Sequence, residues 1–201
     1  MAQDTMCKND EMIRNICAVS YEIDNPVHTR CLETICHLTR FPGNNSKLAQ
    51  MNFVIEALKK GGMSLLVEDR VWCVRMIQNI SSDASSKTVL ATSPILEMLS
   101  LSAMRKDPDE QIAAVSAIAN ISTEPGAIVP LTNTKNVVAT LVHLAHNLKS
   151  SDQVRCLACE ALASIGLWLQ TLAAAGTVPD CVESRPLPTL SSTGYLRWDS
   201  K

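Results

Sequence analysis

Aromatic side chains are scarce in this chain of 201 residues, which has two Tyr, two Phe and three Trp although 46% of its residues are hydrophobic. A core must therefore be built from small aliphatic side chains, which suits helix packed on helix. Glycine is scarce too: there are seven, mostly between periodic segments. The Ala, Leu, Ile, Val and Met runs show no period-2 alternation, and together these features argue against a sheet protein. An all-α chain is expected.

Neither charge sign is in excess. The formal net charge is −2 with the signs interspersed, so the basic stripe that phosphate neutralisation needs is missing and nucleic acid is not an expected partner. The start, MAQDTMCKNDEM, is polar and acidic rather than a signal peptide, and with eight cysteines it predicts reduced thiols in the cytosol or nucleus and no disulfides. The most apolar run, Ala161 to Gly176, has 16 residues and carries Ser164, Gln170 and Thr171. A bilayer span needs about 20, so no membrane partner is expected. Without a Gly-rich phosphate loop the chain has no mark of a nucleotide site, and neither cofactor nor small-molecule substrate is expected.

What is present is a repeat. TRCLETICHLT (29–39), VWCVRMIQNIS (71–81), IAAVSAIANIS (112–122) and CLACEALASIG (156–166) superimpose without gaps. Their ninth positions are His37, Asn79, Asn120 and Ser164, spaced 42, 41 and 44 residues apart. A period near 40 with helical spacing is the mark of a solenoid. Between the segments lie a breaker-rich piece and a second apolar helix: NFVIEALKK (52–60), PILEMLSLSAM (94–104) and NVVATLVHLAHNL (136–148), with DEMIRNICAVSYE (10–22) in the same role at the front.

This arrangement of an NIS-ending helix, a breaker-rich link, a short helix and a PILEML-like helix resembles the armadillo repeat family over roughly residues 10 to 183. The resemblance implies an all-α, right-handed α-α superhelix of about four repeats with incomplete ends. The repeats fall at roughly 25–66, 67–106, 107–150 and 151–183, after a partial repeat at 10–24, so that residues 1–183 form one domain. Residues 184–201, with Pro186, Pro188 and Gly194 and no helical stripe, read as an irregular or disordered tail.

HLAHNLKSSDQVRCLAC, residues 143–159, carries an HxxH and a CxxC at a spacing zinc could use. The repeat argues otherwise. Cys156 and Cys159 align with Thr29, Val71 and Ile112 and with Leu32, Val74 and Val115, read as core positions, while His143 and His146 lie opposite the apolar stripe of their helix. No metal site is expected. Glu33 and His37, four apart, form an exposed helix pair rather than a catalytic one. Cys36 and His37 point about 100° apart, so no thiolate dyad forms and no catalytic residue is assigned.

One face of the repeated helix stays variable or polar. It carries Arg30, Glu33 and His37, then Trp72, Arg75 and Asn79, then Ala113, Ser116 and Asn120, then Leu157, Glu160 and Ser164. Stacking would align these as a ladder. In armadillo proteins such as importin alpha and beta-catenin this ladder holds an extended peptide, and the resemblance implies the same face here, with Asn79 and Asn120 matching the groove asparagine. The tryptophan that importin alpha places four residues earlier is here Arg75 and Ser116, with Trp72 a turn further back. The mixed Glu33, Arg75 and Glu160 point to a mixed-charge ligand. Two readings of the asparagines stay open, since an Asn in the last turn of a helix also ties down nearby backbone. The expected function is a non-catalytic scaffold for an extended segment of a partner protein. The alternative is a regulatory or chaperone-like subunit that docks through its open solenoid ends.

Overall fold

The computed structural model of the chain describes residues 9–22 and 27–174, with the backbone of 189–190 and 196–197. Within the long segment every regular element is helical. In chain order these are α1 (Asp10–Ser20), α2 (His28–Thr39), α3 (Pro42–Gln50), α4 (Asn52–Gly62), α5 (Val67–Ile80), α6 (Ala84–Leu90), α7 (Ser93–Ala103), α8 (Pro108–Ser122), α9 (Ile128–Asn133), α10 (Val137–His146) and α11 (Asp152–Ala174). A 3₁₀ turn, Pro125–Ala127, leads into α9.

The starts of these helices are written locally. Asp107 accepts the Glu110 backbone N–H at 2.8 Å ahead of Pro108, and Asn9 accepts that of Met12 at 3.0 Å; each satisfies a donor the first turn leaves orphaned. Pro42 and Pro108 open α3 and α8, where a missing N–H is harmless. The links contain the short helices α3, α6 and α9, where the repeat pattern implies a short helix. The second-row helices are entered in two ways. Met51 and Thr92 enter α4 and α7 in extended backbone, whereas Asn136 takes φ 69° before α10, a left-handed conformation that asparagine tolerates.

The elements stack in register. The long helices α2, α5, α8 and α11 pack each on the next, and α1, α4, α7 and α10 form a second row behind them. One continuous aliphatic core runs between the rows, from Ile13 to Ile165. Two buried polar clusters also join successive long helices. His28 Nε2 lies 3.1 Å from Asp69 Oδ2, and Asp69 accepts Thr29 Oγ1 at 2.7 Å and Ser64 Oγ at 2.8 Å. One repeat on, Arg70 Nε donates to the fully buried Glu110 at 3.1 Å, Arg105 sits 3.3 Å away, and Arg70 also donates to the Ser64 and Leu65 carbonyls. His28 and Arg70 are 42 residues apart, and Asp69 and Glu110 are 41 apart. The clamp therefore recurs with the repeat.

α11 departs from expectation twice. At 23 residues it is long and apolar enough, by length and composition, to cross a membrane, because the helix begins at Asp152 rather than at the apolar run. Here it packs on α8 and α10 with Val154, Ala158, Ala161 and Ile165 buried. Cys156 and Cys159, expected in the core, are exposed. Their counterpart Val115 is buried because another long helix follows α8; among the described residues nothing covers the outer face of α11. His143 and His146 are exposed, as the stripe predicts. Outside the solenoid, Thr189 pairs with Arg197 and Leu190 with Leu196 in a two-residue antiparallel ladder, a departure from a wholly irregular tail. The rest of residues 184–201 lies outside the described residues.

Candidate functional site

The ladder face forms along one side of α2, α5 and α8, because residues three and four apart on each helix share a face and stacking places the three faces side by side. Its first half is a linked chain of charges and rings. Arg30 donates to Glu33 at 3.0 Å, Glu33 lies 3.7 Å from His37, and the His37 ring sits 6.0 Å from that of Trp72. Arg75 stands 5.7 Å over the Trp72 ring and bonds Asp109 at 2.7 Å. Trp72 is half-buried and packed on the core, so it is both a wall between repeats and a platform. Each charge in this chain meets an opposite one.

The second half is neutral. Asn79 Nδ2 donates to Thr39 Oγ1 at 2.9 Å, and Asn120 Nδ2 donates to Ser81 Oγ at 3.1 Å and the Gln78 carbonyl at 3.4 Å. Both asparagines thus tie their helix to the end of the preceding long helix, a repeat away rather than to nearby backbone. Gln78 Nε2 makes a parallel tie to Ser116 Oγ at 3.1 Å. Ala113 is buried and drops out of the face. Glu160, exposed, and Ser164 and Leu157, half-buried, lie one repeat further on α11; no hydrogen bond or ion pair joins them to the other ladder residues among those described.

Beside this neutral half an open pocket of about 290 Å³ lies at the C-terminal ends of α2 and α5, against α8, and its lining includes Arg40, Asn45, Gln78, Asn79, Ser116 and Asn120. Asn45, 1% exposed, donates to the Asn79 carbonyl at 2.8 Å, while its Oδ1 has no partner among the described residues. Next to it Asn44 donates to the Leu38 carbonyl at 3.0 Å. The two asparagines of PGNNSK thus bond last-turn carbonyls of α5 and α2, beside the hydrogen bonds those carbonyls accept locally from Ser82 and Phe41. Sequence reasoning missed Arg40, Asn45 and Gln78. The available signal was a pair of adjacent asparagines, residues that favour caps over helix interiors.

No known family's sequence profile matches the chain, and no curated protein matches it. Solved structures do. A designed armadillo repeat protein in complex with the peptide (KR)4 superimposes with a TM-score of 0.69 at 22% identity, over 82% of this chain and 70% of that one. An engineered protein matches with a TM-score of 0.64 at 20% identity, over 83% and 68% of the two chains. A second engineered protein matches at 0.68 and 20% identity, over 77% of this chain but 38% of its own. The chain has an armadillo-like repeat fold.

It is an all-α, right-handed solenoid, and the armadillo-like ladder helices are α2, α5, α8 and α11. Burial pushes the Cys36 thiol of α2 up, with smaller opposing effects from Arg40 and Thr39, and pushes Cys73 of α5 well above the usual range, so these two are poorly suited to attack. Cys17 is pushed to about 12, first by burial and then by Cys31. Among the described residues no three His, Cys, Asp or Glu side chains gather as a metal site.

Proposed function

We propose that this armadillo-like chain is a non-catalytic scaffold that binds an extended segment of a partner protein along the ladder from Arg30 to Asn120. One observation carries the reading. The amide nitrogens of Asn79, Asn120 and Gln78 each donate to a neighbouring repeat, while their side-chain oxygens have no partner among the described residues, on a face that opens into a pocket. An extended backbone presents N–H groups to such oxygens in register with the repeat. The designed protein that shares the fold holds a (KR)4 peptide, which is consistent with a peptide-holding face on this architecture. Here Arg40 and Arg75 favour a mixed-charge or acidic segment over a wholly basic one. Nucleic acid, membrane, cofactor and small-molecule substrate have no part in this proposal, which places the protein in the cytosol or nucleus. Glu160 and Ser164 would extend the face by one repeat. A pulldown with the purified chain, read by mass spectrometry and followed by tiling of the captured proteins as peptides, tests it: one short segment of a captured protein should retain binding, and binding only by folded domains would count against it.

A second reading is favoured by α11, whose outer face exposes Cys156, Cys159 and Leu167, the last 62% exposed. A regulatory or chaperone-like subunit would dock there through the open end. Gel filtration separates the two, since self-association supports the second and a monomer the first.

A further inference from the structure

We infer that the pocket below Asn79 is a subsite for a side-chain carboxamide, the Gln or Asn of the bound segment; this deepens the scaffold reading and rests on it. The pocket lining includes no carboxylate, and its one charged residue is the exposed Arg40. A lysine or arginine of the ligand would meet a like charge there with no counter-ion, so charge selects against cations.

The hydrogen-bond inventory narrows the choice further. Each lining carboxamide gives its nitrogen to the protein: Asn45 to the Asn79 carbonyl, Gln78 to Ser116, Asn79 to Thr39, and Asn120 to Ser81 and the Gln78 carbonyl. Their oxygens have no partner among the described residues; that of Asn45 is buried out of a ligand's reach, whereas those of Gln78, Asn79 and Asn120 are not. A ligand seated here would cover these three acceptors, and a covered acceptor left unmade is costly, so the ligand that fits brings N–H donors. A carboxylate brings none and adds negative charge beside amide oxygens. An alkyl group would cover the acceptors and satisfy none. A carboxamide supplies two N–H donors for the Asn79 and Asn120 oxygens and one carbonyl to accept from the Arg40 guanidinium. The pocket's 290 Å³, roughly nine or ten water volumes at about 30 Å³ each, leaves room for it.

The test is an array of immobilised eight-residue peptides with every position varied through all residues, probed with the full chain and followed by fluorescence polarisation of the best binder. One position should prefer Gln or Asn over both Glu and Lys by about tenfold, with Arg40→Glu shifting that position's preference toward Lys. Asn79→Ala should erase the preference, with a melting curve run in parallel because Asn79 also ties α5 to the end of α2. Peptides that bind with no Gln or Asn preference at any position, or with a Lys or Arg preference that Arg40→Glu leaves unchanged, overturn the carboxamide subsite and leave the groove standing. An array with no binder overturns both.

Discussion

Glu110 is the residue on which the inter-repeat clamp turns, since its buried carboxylate is met by Arg70 and Arg105 at once. Removing one partner of a buried pair leaves the other charged and uncompensated, so Glu110→Ala should cost about 3 to 5 kcal/mol in chemical denaturation. Arg70→Met with Glu110→Leu should recover most of that, because an apolar pair of similar volume removes both desolvation costs. An additive loss in the double variant would show that no such coupling exists. Asn79 and Asn120 make a smaller structural contribution. Three hydrogen bonds to neighbouring repeats are lost in Asn79→Ala with Asn120→Ala, and at about 0.5 to 1.5 kcal/mol each the melting point should fall whether or not peptide is bound. An unchanged melting point would remove the asparagines from the stack. The clamp was not legible in the sequence: Asp69 and Glu110 lie in the first turns of α5 and α8, where an acid is ordinary, and only the stack buries them. Nor was Asn45, whose role depends on a carbonyl 34 residues away.

At the scale of the element, α4 shows how closely the rows approach. A Cβ at Gly62 would lie 1.8 Å from Met98 Sδ of α7, and one at Gly61 would lie 2.4 Å from Cys73 Sγ of α5. Alanine normally stabilises a helix by about 1 kcal/mol relative to glycine. Here Gly62→Ala should instead destabilise by about 1 to 3 kcal/mol, because Met98 is buried and has little space to yield. A more stable variant would mean that α4 and α7 stand further apart. The long helices and their spacing were legible in the sequence because a 3.6-residue period over ten or more residues is a strong signal. The short helices α3, α6 and α9 were read only as links and one unplaced short helix, because six to nine residues with Pro, Ser and Asn carry little periodicity. The exposure of Cys156 and Cys159 was illegible for another reason: their aligned partners are covered by a following repeat, and coverage belongs to the stack rather than to the residue.

At the scale of the whole molecule, the solenoid has a finished interior and, among the described residues, an uncovered outer face on α11. Leu167 sits on that face, and Leu167→Asp should change stability by less than about 0.5 kcal/mol, as surface substitutions usually do. Under the scaffold reading the parent chain and this variant elute together as monomers. A parent oligomer that the variant dissolves would move the interaction to α11. The central claim, that an extended segment lies along α2, α5 and α8, is tested most directly by photo-crosslinking. The best peptide from the array would carry benzoylphenylalanine at each position in turn, and the sites would be mapped by mass spectrometry. The account predicts adducts that walk along the ladder, through the faces of Glu33, Arg75 and Asn120, as the label moves along the peptide. Adducts confined to the outer face of α11, or to the row formed by α4 and α7, would contradict it.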